Sequence, residues 1–77
     1  MNKARRKQLE KASALLSEAR EIIESCRDEE QDAFDNMPEG LQQSERGEQM
    51  EEYINTMDEI TSSLEDAESS IDDIVCG

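Results

Sequence analysis

From Met50 to Gly77 the chain reads MEEYINT, MDEITSS, LEDAESS and IDDIVCG, four successive segments of seven residues. The first and fourth positions of these segments are Met50 and Tyr53, Met57 and Ile60, Leu64 and Ala67, and Ile71 and Ile74. An apolar spacing that alternates between three and four residues is typical of a helix that packs along another helix. This stretch therefore predicts a long amphipathic helix in the second half of the chain.

The first half carries the same spacing less regularly, at Leu9, Ala12, Leu16, Ala19, Ile23, Cys26, Glu30 and Ala33. The only proline, Pro38, separates the two halves. Proline cannot continue a helix, and it biases Met37 away from helical geometry. Asn36 is suited to capping a short turn that starts at Met37 or Pro38, and Ser44 is suited to capping the second helix.

These signals predict an all-α fold in which one domain, residues 1–77, forms an antiparallel two-helix hairpin with coiled-coil-like heptads. We expect helix one over about 2–34, an elbow over 35–44 and helix two over about 44–75. A chain this short is marginally stable alone, so oligomerisation is the expected source of further stability.

Four apolar residues widen the two stripes: Leu15 and Ile22 on helix one, and Ile54 and Val75 on helix two. A single hairpin leaves such wide stripes partly uncovered. We therefore expect these residues to form an oligomer interface in which two hairpins make a four-helix bundle. The alternative is a monomer that exposes Leu15, Ile22 and Val75.

The chain is strongly acidic, with 21 Asp and Glu against 8 Lys and Arg, a net charge of −13. This excludes a simple nucleic-acid-binding surface and disfavours anionic membranes, and it favours a partner protein with a basic surface. High charge with few aromatic residues also occurs in disordered chains, but the regular apolar spacing argues against disorder. The basic start leads into a stretch too polar for a signal peptide, so we expect a cytoplasmic protein.

Acidic pairs recur in the outer positions of helix two, at Glu51-Glu52, Asp58-Glu59, Glu65-Asp66 and Asp72-Asp73. We call these eight residues the acidic ladder; its pairs are about 10 Å apart on a helix. One interpretation is a mimic of the nucleic-acid backbone, and the other is solubility. Residues 47–77 contain no Lys or Arg, whereas soluble helices usually mix both signs.

The elbow end gathers a further acidic cluster with Arg46 as its only cation. At the opposite end, we expect Lys3, Arg5, Arg6 and Lys7 to lie beside Asp72 and Asp73. The candidate partner-binding residues are Asp28, Glu29, Asp32, Asp35, Glu39, Arg46, Glu48, Glu51, Glu52, Asp58, Glu59, Glu65 and Asp66.

Catalysis is not expected, because the chain has no His for a Ser-His or Cys-His pair and no glycine-rich phosphate loop. We expect no cofactor and no metal, since the EF-hand order and the Glu-x-x-His pattern of di-metal bundles are both missing. Cys26 falls on the predicted apolar stripe. Cys76 lies too far along the hairpin to reach it, which leaves a bond between subunits through Cys76 as the open alternative.

The segment RDEEQDAFDNMPEGLQQSERGEQMEE, residues 27–52, resembles a group of short acidic helical proteins of bacteriophages and bacterial mobile elements. The resemblance covers most of the chain, and its distinctive sequence motif lies in the elbow. The resemblance implies a host bacterial cell as the setting, where small acidic phage proteins often inhibit DNA-handling machinery. It carries over no functional residues.

Two main hypotheses follow. The first is a phage or mobile-element inhibitor or regulator, a DNA mimic whose acidic surface binds a basic, nucleic-acid-binding surface of a host protein. The second is an assembly module whose apolar stripe forms homo- or hetero-oligomeric helical bundles. A weaker third is a binder of small phosphate ligands between subunits, through the basic residues near the start of the chain.

Overall fold

The computed structural model describes residues 1–77 and confirms the all-α prediction. Helix α1 spans Lys3–Asp35, α2 spans Glu39–Gln42 and α3 spans Glu45–Cys76. The molecule is elongated, with dimensions of 58 × 14 × 13 Å. Only 8 of the 77 residues lie outside the helices, so nearly all the backbone hydrogen bonds are helical.

Side-chain caps begin both long helices. The Asn2 Oδ1 accepts a hydrogen bond from the Arg5 backbone N–H at 2.8 Å. Ser44 is the N-cap of α3, as predicted, and its hydroxyl accepts from the Gly47 N–H at 3.4 Å. Such caps satisfy backbone donors that have no partner within the helix.

The elbow departs in detail from its prediction. Asn36 is the C-cap of α1 and does not cap a following turn. The short helix α2 begins at Glu39, after Pro38, whose carbonyl accepts from the N–H groups of Leu41 and Gln42 at 2.8 and 3.1 Å. Pro38 has no N–H to donate, so it stands at the start of the turn.

The two long helices lie side by side, joined by side-chain ion pairs. Arg20 contacts Glu68 at 3.0 Å and Arg27 contacts Asp58 at 3.0 Å, so residue numbers rise along one helix as they fall along the other. The most buried side chain is Ile54, which is 5% exposed. The core is therefore a narrow seam between α1 and α3.

The seam is rotated by about one residue from the predicted stripe. On α3 it contains Met50, Ile54, Met57, Thr61, Leu64, Glu68, Ile71 and Val75, all buried or half-buried. On α1 it contains Leu9, Leu16, Arg20, Ile23, Arg27, Glu30 and Phe34. Cys26, expected on the stripe, is exposed instead. The predicted fourth-position residues Tyr53, Ile60 and Ile74 are 50%, 40% and 46% exposed.

Candidate protein-binding surfaces

Arg20 and Arg27 organise one side of the molecule. Arg20 donates from Nε to Glu68 at 3.0 Å and from Nη1 to Glu24 at 3.3 Å, and it lies 3.9 Å from Glu65. Arg27 bridges Asp58 on α3 and Asp28 on α1, at 3.0 and 3.4 Å. The hydrogen bond and charge of Glu68 raise the pKa of Arg20. We call this side the ion-paired side.

These ion pairs divide the acidic ladder. Asp58 and Glu65, at the second position of their heptads, are partly neutralised by the arginines of α1. The third-position residues make no ion pair and are exposed; they are Glu52, Glu59, Asp66 and Asp73. This third position lies opposite the seam, because successive residues are about 100° apart around a helix. We call these four residues the outer row.

The elbow end keeps its negative charge. Of the predicted partner-binding residues there, Glu29, Asp32, Glu39, Glu48 and Glu51 are exposed and make no ion pair. Asp28 contacts Arg27, and Asp35 accepts a hydrogen bond from Gln31 at 2.9 Å. Arg46 is exposed, has no carboxylate within 4.0 Å, and borders a shallow groove with Glu45, Glu48, Gln49 and Glu52.

The elbow is held by two contacts that the sequence patterns did not reveal. The Gln42 side chain donates to the Phe34 carbonyl at 2.8 Å, which links α2 to the end of α1. A Cβ at Gly47 would lie 2.1 Å from the Gln42 carbonyl oxygen, so α2 rests directly on the backbone of α3. The only sequence signal for the second contact is the presence of glycine inside a helix.

The opposite end contradicts the predicted charge pairing. Lys3, Arg5, Arg6 and Lys7 make no ion pair with Asp72 or Asp73. Counting from the Arg20–Glu68 and Arg27–Asp58 contacts, the end of α3 lies level with about residues 9–12 of α1. Residues 1–8 are all exposed and extend past α3 by about two turns. We call residues 1–8 the basic overhang.

The elbow end of the rod is acidic. The start of α3 packs on α2, and Glu51 borders a shallow groove together with Gln31 and Phe34 of α1. Glu45, Glu48, Glu51 and Glu52 are exposed at this end. The rod therefore has the basic overhang at one end and exposed carboxylates at the other.

The side opposite the ion pairs is apolar. Leu15 and Ile22 from α1 are 55% and 65% exposed, and they share this side with Tyr53, Ile60 and Ile74 from α3. The small residues Ala12, Ala19, Cys26, Ala33 and Ala67 lie between these larger ones. We call these ten residues the apolar face.

The four predicted interface residues are divided between two environments. Leu15 and Ile22 belong to the apolar face. Ile54 and Val75 lie on the seam, where Ile54 is buried and Val75 is half-buried. Both therefore belong to the core between α1 and α3. Tyr53, Ile60 and Ile74 take the exposed place on α3 that was expected for Ile54 and Val75.

No group of three or more Cys, Asp and Glu side chains is arranged to hold a metal ion. None of the three helices combines enough length and apolarity to cross a lipid bilayer. Comparison with protein-family models, curated proteins and solved structures found no match to this chain.

Proposed function

We propose that the protein is a non-enzymatic acidic binding module that engages a basic, nucleic-acid-binding surface of a partner protein. The outer row supports this proposal most strongly. Four carboxylates, spaced about 10 Å apart and pointing away from α1, carry no compensating cation. A continuous field of one sign attracts and orients a partner of the opposite sign.

The unpaired elbow carboxylates extend this surface around the end of the rod. Together, the elbow and the outer row form the surface that we propose for binding. In the setting implied by the resemblance, the partner is a DNA-handling protein in the cytoplasm of a host bacterium, and binding inhibits it.

The test is capture from a bacterial lysate with two matched variants. One neutralises the outer row with Glu52→Gln, Glu59→Gln and Asp66→Asn. The other makes the same change in net charge on α1 with Glu10→Gln, Glu18→Gln and Glu21→Gln, all exposed and without ion pairs. The proposal predicts a captured protein that elutes at moderate salt, because exposed charges are screened.

The outer-row variant should lose that protein and the α1 variant should keep it. Equal retention by both variants would show that net acidity alone, and no particular surface, explains the binding.

The apolar face supports a second candidate, a helical assembly module. Five large apolar side chains are 40–65% exposed on one side of the rod, and Ile54 is the only apolar side chain that is buried. Exposed apolar patches mark interaction sites. In this proposal the chain persists in solution as an antiparallel hairpin, and two hairpins form a four-helix bundle.

Sedimentation equilibrium tests the second candidate. Ile22→Asp and Ile60→Asp should each dissociate the assembly, while the outer-row variant should leave its mass unchanged. A wild-type chain that sediments as a monomer at all concentrations would remove this candidate and leave the first untouched.

A further inference from the structure

We propose that a second copy of this chain covers the apolar face in an antiparallel orientation, with each basic overhang beside the elbow end of the other copy. This inference rests on the proposed dimer and goes beyond it by assigning the orientation of the two rods.

The size of the face suits a second copy. The rod is 58 Å long, and the apolar face runs for about 32 Å, from Ala12 to Ala33 on α1, so a second copy of the same length covers all of it. Ile22 and Cys26 lie near the middle of both the rod and the apolar face. A two-fold axis close to them would therefore superpose the apolar faces of two rods along most of their length.

The charges select the orientation. A parallel pair would place the two elbow ends together, each with at least ten carboxylates against the single Arg46. Like charges in contact are unfavourable at an interface. An antiparallel pair instead places Lys3, Arg5, Arg6 and Lys7 beside the elbow of the other copy.

The basic overhang gives these charges room to meet. It extends about two turns past the end of α3, and the elbow carboxylates Glu39, Glu48 and Glu51 are exposed. The cations of the basic overhang make no ion pair within their own copy. In an antiparallel pair they lie beside the unpaired elbow carboxylates of the other copy. The outer row faces away from α1 and lies outside the apolar face, so it stays accessible in such a dimer.

Distances between spin labels test the orientation in the full-length chain. Cys76 is labelled in a Cys26→Ser variant, and the elbow is labelled separately through Gly40→Cys with both natural cysteines changed to Ser. Both natural cysteines are exposed, and a Cβ at Gly40 meets nothing within 4 Å. The molar mass of each labelled protein is first measured by sedimentation equilibrium.

The antiparallel dimer predicts about 30 Å or more between the two Cys76 labels and about 50 Å or more between the two elbow labels. A parallel dimer would give about 20 Å for both, the width of two packed helices. A dimer with these short distances overturns the orientation and keeps the assembly proposal. A monomer, which gives no distance between copies, overturns both.

Discussion

Gly47 lies where α2 meets α3, and the last carbonyl of α2 leaves no space for a side chain there. An added Cβ would lie 2.1 Å from the Gln42 oxygen and 2.7 Å from the Leu41 oxygen. Both neighbours are backbone atoms, so the contact can be relieved only by moving a helix. Glycine at this position sets how closely the elbow packs.

Gly47→Ala should therefore lower the free energy of unfolding. Overpacking costs about 1–3 kcal/mol, which outweighs the gain of up to about 1 kcal/mol from replacing glycine within a helix. Urea denaturation followed by circular dichroism measures the change. Gly40→Ala is the control, because nothing lies within 4 Å of its Cβ, and it should be neutral or stabilising. Equal effects of the two changes would contradict the close packing.

Gln42→Ala should destabilise the elbow by about 0.5–1.5 kcal/mol, since its side chain donates a hydrogen bond to the Phe34 carbonyl, which also accepts from the Met37 N–H. The neighbouring Gln43 is exposed and its side chain makes no hydrogen bond, so Gln43→Ala should change the stability little. The same denaturation experiment compares the two. A Gln42 variant as stable as the Gln43 variant would show that α2 is not tied to α1 in this way.

Local capping signals were right at Ser44 and wrong at Asn36, which ends α1 instead of capping a following turn. Ser44 is the N-cap of α3, because a hydroxyl before a run of helix formers satisfies a free N–H. The role of Gly47 could not be predicted, since it depends on α2, which lies close to it only once the chain has folded.

At the scale of the helices, the all-α class followed from the sequence, but the short helix α2 and the seam did not. In the second-half heptads the first and fourth positions are all apolar, whereas the fifth position holds Ile54, Thr61, Glu68 and Val75. Apolar periodicity therefore favoured the first and fourth positions, but the seam uses the first and the fifth. The seam in this structure lets Arg20 and Arg27 reach carboxylates on α3, which apolar spacing does not record.

Arg20→Met should lower the unfolding temperature by a few degrees at most, because ion pairs that stay partly open to solvent contribute little. It leaves Glu24, Glu65 and Glu68 close together without their cation. Lys11→Met is the matched control, since Lys11 is exposed, makes no ion pair and lies outside the basic overhang. The difference between the variants should shrink in concentrated salt. A difference that persists there would point to packing of the arginine chain instead.

At the scale of the whole molecule, the net charge of −13 works against the compact state. Only Arg20 and Arg27 form ion pairs, whereas 21 carboxylates repel one another. Added sodium chloride should therefore raise the unfolding temperature between low and physiological ionic strength. Thermal melts at matched protein concentration measure this, and a fall in that range would mean that the ion pairs outweigh the repulsion.

The offset between α1 and α3 could not be predicted, because it depends on the length of α2 and on its packing against Gly47. It explains why the basic residues near the start do not meet Asp72 and Asp73. The outer row and the apolar face are separate surfaces, because the outer row faces away from α1 and the apolar face lies to one side of the rod. A dimer formed through the apolar face would therefore leave the outer row free for a partner.

Competition with nucleic acid tests the central claim most directly. The protein captured from the lysate is purified, bound to this chain, and titrated with DNA and RNA at constant ionic strength. If the outer row and elbow occupy a nucleic-acid-binding surface, the nucleic acid that the partner normally binds should displace the chain completely. A stable complex of partner, nucleic acid and this chain would contradict the account, because both ligands could not then share one surface.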